Sequence, residues 1–365
     1  YSKTAIVNHL SGTIKVGDNG TAIYSDQGNI TIGSGATITL GTKNAVAAYG
    51  INSSSIANSS NINIGNDNYG FIIQSGSTLV NNGAGNLGED SVFAYSNNGV
   101  SIINNAGGTI NMTGSNNIAF YMNGGSIVNN EKINGTIGTS NIGIASIGGS
   151  VTNNAAINVG DSVVERDSEG NINTAKSVFA IGIYGDGSSI VNNTGGTITI
   201  GKDSVGLYAK NAPITVINAG NVTSNSTGAI GLFVENSTIN NTGNITLSGA
   251  GSIGIAAVNQ GHVINTVTIT MGGNGSKGVY LRVNSTLNNN GGTIVINGAN
   301  SIGVEMDAGS KLINSGIIIV NSIGSGSVPE QISGENYPIP SIINTGVIIV
   351  NENFKTSGLD VIIKI

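Results

Sequence analysis

The sequence predicts an all-β chain wound as a right-handed parallel β-helix, with three strands per coil and about 14 coils. Three observations predict it. A short phrase recurs about every 24 residues through most of the chain. Each copy holds three short segments that alternate apolar with small or polar residues, the period-two pattern of strands. The segments are separated by Gly, Asn, Ser and Asp, the residues that turns require.

The recurring phrase is Ser or Thr, an aliphatic residue, one further residue, then Asn. It reads Ser55-Ile-Ala-Asn58, Thr78-Leu-Val-Asn81, Ser101-Ile-Ile-Asn104, Ser126-Ile-Val-Asn129, Ser150-Val-Thr-Asn153 and Ser189-Ile-Val-Asn192. It continues more loosely through Asn218, Asn240, Asn265, Asn288, Asn314 and Asn344. The first copy ends at Asn8, and the second, Ile30-Thr-Ile-Gly33, lacks the Asn. The Asn segment comes first in each coil. A Gly-Thr-Ile-x-Ile-Gly segment follows, as at 196–201, and an Ile-Gly-Ile-Tyr segment closes the coil, as at 181–184. Coils stacked about 4.8 Å apart make a rod on the order of 65 Å long. The Asn residues are expected to stack at one buried turn and pass amide hydrogen bonds along the axis.

Composition narrows the classes. Gly supplies 57 of 365 residues, about twice the usual roughly 7%, while Pro supplies four. Gly without Pro excludes collagen and Pro-rich disorder. Charged residues are 9%, and mean hydropathy is +0.15, unlike a disordered chain. There is no Cys, which removes disulfides and thiolate chemistry. A net charge of −6 with 13 Lys and Arg makes a poor nucleic-acid binder. No long apolar run offers a membrane-spanning helix. The chain starts at Tyr1 and ends in a strand-like run, so it reads as a piece of a longer protein. Residues 1–365 are expected to form one continuous β-helix fragment with loop insertions near 161–176 and 321–340.

Those insertions break the repeat. The interval from Asn153 to Asn192 is well over one repeat long, and the excess holds Asp161, Glu165, Arg166, Asp167 and Glu169, the densest charge in the chain. The interval from Asn314 to Asn344 is also long and lacks an Ile-Gly-Ile-Tyr segment. Its excess brings Tyr337 between Glu335 and two prolines, Pro338 and Pro340. Insertions in a solenoid become surface loops, often where it binds. Asp161, Glu165, Arg166, Asp167, Glu169, Glu335, Tyr337 and Pro338 are therefore candidate binding residues.

The same residues offer no catalytic constellation. His9 and His262 lie in coils far apart and share no site. With two Arg in all, no carboxylate-plus-Arg cluster is expected on one face, and no enzyme activity, cofactor or metal site is expected. The turn before the third strand reads Asp18, Lys43, Asp67, Asp90, Asn116, Asn141, Asp203, Thr227, Ser252 and Lys277, a solvated turn rather than a metal cage. The Gly-rich matches at 273–278 and 196–202 lack the helix and the Mg²⁺-binding hydroxyl that phosphate loops need. Tyr24, Tyr49, Tyr95, Tyr121, Tyr184, Tyr208 and Tyr280 share the fourth place of the third strand, with Phe233. Ile at place one and the aliphatic residue at place three are expected to point inward, leaving an outward aromatic column. Such a column either shields the backbone at Gly or stacks on a sugar or protein partner.

The ordered repetition of these three segments in an Asn- and Ile-rich chain resembles the passenger domains of classical monomeric autotransporters, and more narrowly the very large fusobacterial autotransporter adhesins. The resemblance covers nearly all of residues 1–350. It implies export, a monomeric β-helical stalk on the bacterial surface, an outer-membrane β-barrel anchor outside this sequence, and binding to a host cell-surface protein or glycan or to other bacteria. A stalk whose binding tip lies elsewhere, and a polysaccharide-degrading enzyme, are the competing readings.

Overall fold

The computed structural model describes residues 2–350 apart from 5, 171, 308, 322–327 and 334–340, with backbone alone for 2–3 and 328–333. Among the described residues every strand pairs in parallel with the equivalent strand of the next turn, and there is no helix. The result is a parallel β-helix (a β-solenoid) of about 13 turns. The strands of the fourteenth copy, Ser341–Asn344 and Val347–Val350, begin one further turn.

Each turn has three faces. The first carries the Asn segment, the second the Thr-Ile-x-Ile segment and the third the Ile-Gly-Ile-Tyr segment. The register is strict. Asn58 pairs with Asn81, Asn81 with Asn104, and so on to Asn314 with Asn344. Alternation does what its period requires: Ile102 and Asn104 are buried while Ser101 and Ile103 lie half-buried outside. The core is one continuous column of Ile, Val, Leu, Phe and Met.

Polar groups inside that column are joined turn to turn. Asn58 Nδ2 donates to Asn81 Oδ1 at 2.8 Å, Asn81 to Asn104 at 2.8 Å, Asn104 to Asn129 at 2.8 Å, Asn129 to Asn153 at 2.8 Å and Asn153 to Asn192 at 2.8 Å. The line continues through Asn218, Asn241, Asn265, Asn289 and Asn314 to Asn344. Asn240 and Asn288, expected in this line, are displaced by their neighbours Asn241 and Asn289, because only the second Asn of each pair falls on the inward parity. In the first two turns the equivalent positions are His9 and Ile32, not Asn8 and Gly33.

The other two corners hold buried polar rows as well. At the second corner Asn68 accepts from Ala45 N at 2.7 Å, Asn117 from Ser91 N at 2.9 Å and Asn141 from Asn117 N at 2.9 Å. At the third, Ser77 Oγ accepts from Ser54 N at 3.0 Å and Ser285 Oγ from Gly261 N at 3.1 Å. Beside the second corner lies a left-handed turn residue, including Asn19, Asn44, Asp67, Asp90, Asn116, Ser140 and Asp203, with φ between 52° and 58°. Asn and Asp tolerate that conformation best after Gly. The expected turn column therefore mixed several rows. Asp18 and Lys43 precede the turn residue, Asn141 and Ser252 are buried beside it, and Lys277 sits in a third-face strand.

The third-face strand departs from simple alternation. In Ile181–Asp186 the burial runs half-buried, buried, buried, half-buried, buried, half-buried. Place one is thus turned outward in most turns, contrary to the inward expectation, and Gly at place two faces the core. The reason is space. A Cβ on Gly206 would lie 2.5 Å from the Gly231 carbonyl oxygen and 2.8 Å from Val222 Cγ1. The aliphatic side chain of the second face fills the room that Gly leaves. One turn exchanges the sizes: Phe93 holds place two, and Gly85 stands in register with Ile62 and Ile110. Phe93 then packs edge-on between Phe71 at 5.3 Å and Phe120 at 5.8 Å.

Two insertions were expected. The first is a short arm between Asp161 and Ala180, closed by antiparallel bridges Val163–Val178 and Arg166–Ile172. The second is partly corrected. Val328–Ser333, inside the expected 321–340 loop, is a strand paired with Ile302–Asp307 and takes the third-face position of its turn. Pro329 falls opposite Gly303, at the place that has no register partner in this ladder, where a missing N–H costs least.

The line and the size exchange can each be tested by stability. Asn104→Ala leaves the buried amides of Asn81 and Asn129 each lacking one partner, and should cost about 1–3 kcal/mol in urea unfolding. Gly85→Ile should clash with the Phe93 ring and cost about 1–3 kcal/mol. Adding Phe93→Ala reproduces the Ile110 and Ala119 arrangement of the next turn, so a double-mutant cycle should give a favourable coupling above about 0.5 kcal/mol. Additive losses would contradict the size exchange.

Candidate functional site: the third face and its arm

The third face carries the tyrosine column of the rod. At place four the register runs Tyr24, Tyr49, Ile72, Tyr95, Tyr121, Ala145, Tyr184, Tyr208, Phe233, Ala256, Tyr280, Glu305. The seven tyrosines therefore stand in one column, each half-buried. Neighbours touch: Tyr24 and Tyr49 at 5.3 Å between centroids, Tyr95 and Tyr121 stacked at 5.0 Å, Tyr184 and Tyr208 at 5.2 Å, and Tyr208 and Phe233 at 4.7 Å. Ile72, Ala145 and Ala256 interrupt the column. Beside it runs the outward row at place one, with Ile118, Ile142, Ile181, Ile230 and Ile253 half-buried. Together the two rows form an apolar band along the axis.

Charge collects on this band at two levels. At the first, place six carries Asp186, Lys210 and Glu235 on successive turns. Tyr208 Oη donates a short hydrogen bond to Glu235 Oε2, and Lys210 lies 3.9 Å from the same carboxylate. Burial first, then the hydrogen bond and charge of Glu235, push the Tyr208 phenol well above its ordinary pKa. Burial and Asp186 raise Tyr184 as well.

At the second level, Glu305 sits in the aromatic column itself and is almost wholly buried. Lys277 Nζ reaches it at 2.8 Å and Arg282 Nη2 at 2.8 Å. The Tyr280 ring faces both cations, at 4.6 Å and 4.5 Å from its centroid, and Tyr280 Oη accepts from Arg282 Nε at 2.6 Å. The expectation that no Arg and carboxylate would cluster on one face is thus corrected. The groups come from successive turns, and the register places Glu305 directly over Tyr280. The cluster binds its own charges: Glu305 is shared by two cations, and the guanidinium is held by the phenol. Such a site presents an oriented aromatic and two half-buried cations rather than an open acid–base pair.

The arm assembles the first group of predicted residues and gives each a partner. Arg166 Nη2 meets Asp203 Oδ1 of the next turn at 2.7 Å, and Arg166 Nη1 donates to Gly170 O at 3.1 Å. Asp161 Oδ1 accepts from Lys202 N at 2.7 Å. Glu165 lies 3.6 Å from Lys176, and Asp167 Oδ1 accepts from Glu169 N at 2.9 Å. Arg166 and Asp161 therefore fasten the arm to the rod. Glu335, Tyr337 and Pro338 lie outside the described residues. His9 lies on the first turn and His262 ten turns further along the same face, so they share no site. Among the described residues no three His, Asp or Glu side chains are grouped to hold a metal ion.

The class is that of a long parallel β-helix with an arm at one corner and an aromatic column on its third face. The chain belongs to the family described as the BigA third pectate lyase-like domain, whose model matches residues 20–230, more than half of it. No curated protein matches the chain.

Two measurements probe the charged levels. Tyr208 and Tyr184 favour the neutral phenol in the fold, so their contribution is complete below about pH 10, the unfolded value, and is lost as pH rises beyond it. An ultraviolet titration should show two late-ionising tyrosines, and Glu235→Gln should bring Tyr208 down. Glu305→Ala strands two half-buried cations and should cost on the order of 3 kcal/mol. A loss under about 0.5 kcal/mol would mean that the cations repair themselves in solvent.

Proposed function

We propose that this chain is a surface-displayed domain of a bacterial adhesin, a rod that presents recognition surfaces along its third face and at its arm. The observation that carries the reading is the band of half-buried aromatic and aliphatic side chains on one face, interrupted and charged at particular levels. A face of identical turns offers identical patches and poor discrimination; local departures supply specificity. The family match supports a surface passenger-like domain and extracellular placement. The narrower resemblance to fusobacterial autotransporter adhesins, an outer-membrane β-barrel anchor, and targets such as host cell-surface proteins, host glycans or partner bacteria belong to the proposal. Aromatic rings with polar neighbours suit both sugar faces and protein anchors.

A second reading is favoured by a different observation. The Asn line from Asn58 to Asn344 is unbroken even where the arm interrupts the sequence, which is what a spacer needs. One experiment separates the two. Beads coated with the purified chain should adhere to host epithelial cells or to other bacteria, and soluble chain should compete. Adherence lost on Tyr184→Ser/Tyr208→Ser/Phe233→Ser, with the melting profile kept, supports the third face. Beads that never adhere leave the spacer reading.

A further inference from the structure

We propose that the arm is a docking site for a protein partner that offers aliphatic side chains ringed by lysine or arginine. Two exposed valines stand together at this corner, with an exposed isoleucine on the arm and another on the turn below. Val163 and Val178 stand side by side across a mutually hydrogen-bonded bridge, N to O at 2.9 and 2.8 Å, and are 49% and 50% exposed. Ile172 lies further out on the arm at 39%. Ile137, 74% exposed, occupies the same corner one turn below, where Ser140 N donates to Asp161 O and Ser140 Oγ to Val178 O.

The fold has no need of these exposed groups. Stacking is complete without the arm: Ile142 pairs with Ile181 and Ile157 with Ile198 across it. The arm is nevertheless held in place. Arg166 is joined to the buried Asp203, Asp161 to the Lys202 amide, and Ser162 Oγ accepts from Ala180 N at 2.9 Å. A pinned protrusion loses little freedom when a partner covers it, and two exposed valines give that partner apolar area to bury.

Charge selects the partner. Residues 161–176 carry Asp161, Glu165, Asp167 and Glu169 against Arg166 and Lys176; Arg166 is neutralised by Asp203 and Lys176 lies 3.6 Å from Glu165, so the carboxylates stay in excess. The rim is therefore acidic, on a chain of net charge −6. A second copy would bring the same sign to the contact and be repelled. A neutral glycan would use neither the valines nor the rim. A basic-rimmed aliphatic surface uses both.

The inference rests on the surface-recognition reading, and its test separates the two. The probe is a synthetic peptide of alternating leucine and lysine, with serine–lysine and leucine–glutamate peptides as controls, titrated onto the intact chain by fluorescence anisotropy. The leucine–lysine peptide should bind at one site. Val163→Ser/Val178→Ser should weaken it at least tenfold, and Glu165→Ser/Glu169→Ser severalfold at low salt. Equal binding of the serine–lysine peptide, or binding untouched by the valine substitutions, would overturn the proposal. Wild-type beads that fail to adhere to cells while the peptide still needs Val163 and Val178 would sink the adhesin reading and leave the docking arm standing. Adherent beads with peptide binding indifferent to the two valines would do the reverse.

Discussion

A buried amide or hydroxyl at the corner of a β-helix has one place to find its partner, the same corner of the next turn. Water does not reach it, and an unmade hydrogen bond there costs about 1–3 kcal/mol. Much else follows from that constraint. Turns must superimpose, so the length of the repeat stays nearly constant. Extra residues cannot be absorbed within a strand; they must leave the rod and return. The arm between Asp161 and Ala180 does so, handing Asn153 on to Asn192 at 2.8 Å despite the long interval between them. The three corners solve the problem differently, with Asn at the first, Asn or Ser at the second and Ser at the third.

The third face shows how packing inside dictates chemistry outside. Gly at place two lets the second-face aliphatic side chain reach the wall, which rotates places one and four outward and sets an aliphatic row beside an aromatic one. Where Phe93 takes place two, its neighbour Gly85 gives way, and the outer surface keeps its Tyr95. Glu305 stands at place four where Lys277 and Arg282 on the turn before meet its charge, and Tyr280 in turn holds the guanidinium.

The repeat, its length, the three strands per turn and the line from Asn58 to Asn192 were legible in the sequence, because period two and stacking at one fixed interval leave a plain signature. The tyrosine column was legible for the same reason. Other features were not. Asn240 and Asn288 look like members of the line, but adjacent Asn residues differ only in parity, and parity depends on where the strand begins. The inward turn of Gly at place two breaks strict alternation, which no periodic template contains. The Lys277, Arg282 and Glu305 cluster joins residues of successive turns at different places of the strand, so it emerges only when the turns are superposed residue by residue. The strand at Val328–Ser333 was hidden by Pro329, which reads as a breaker and here occupies the one tolerant place.

The line of Asn side chains has a mechanical side. A turn rises only about 4.8 Å yet contains about 24 residues, which drawn out straight span roughly 80 Å. Under a pull along the axis, the rod is stiff until one end turn detaches, because each turn is bonded only to the turns above and below it. It then releases chain in steps many times its own pitch, and each step surrenders one amide of the line while the remainder stays intact. A rod built this way lengthens in steps under load and rewinds from the turns still standing once the load falls.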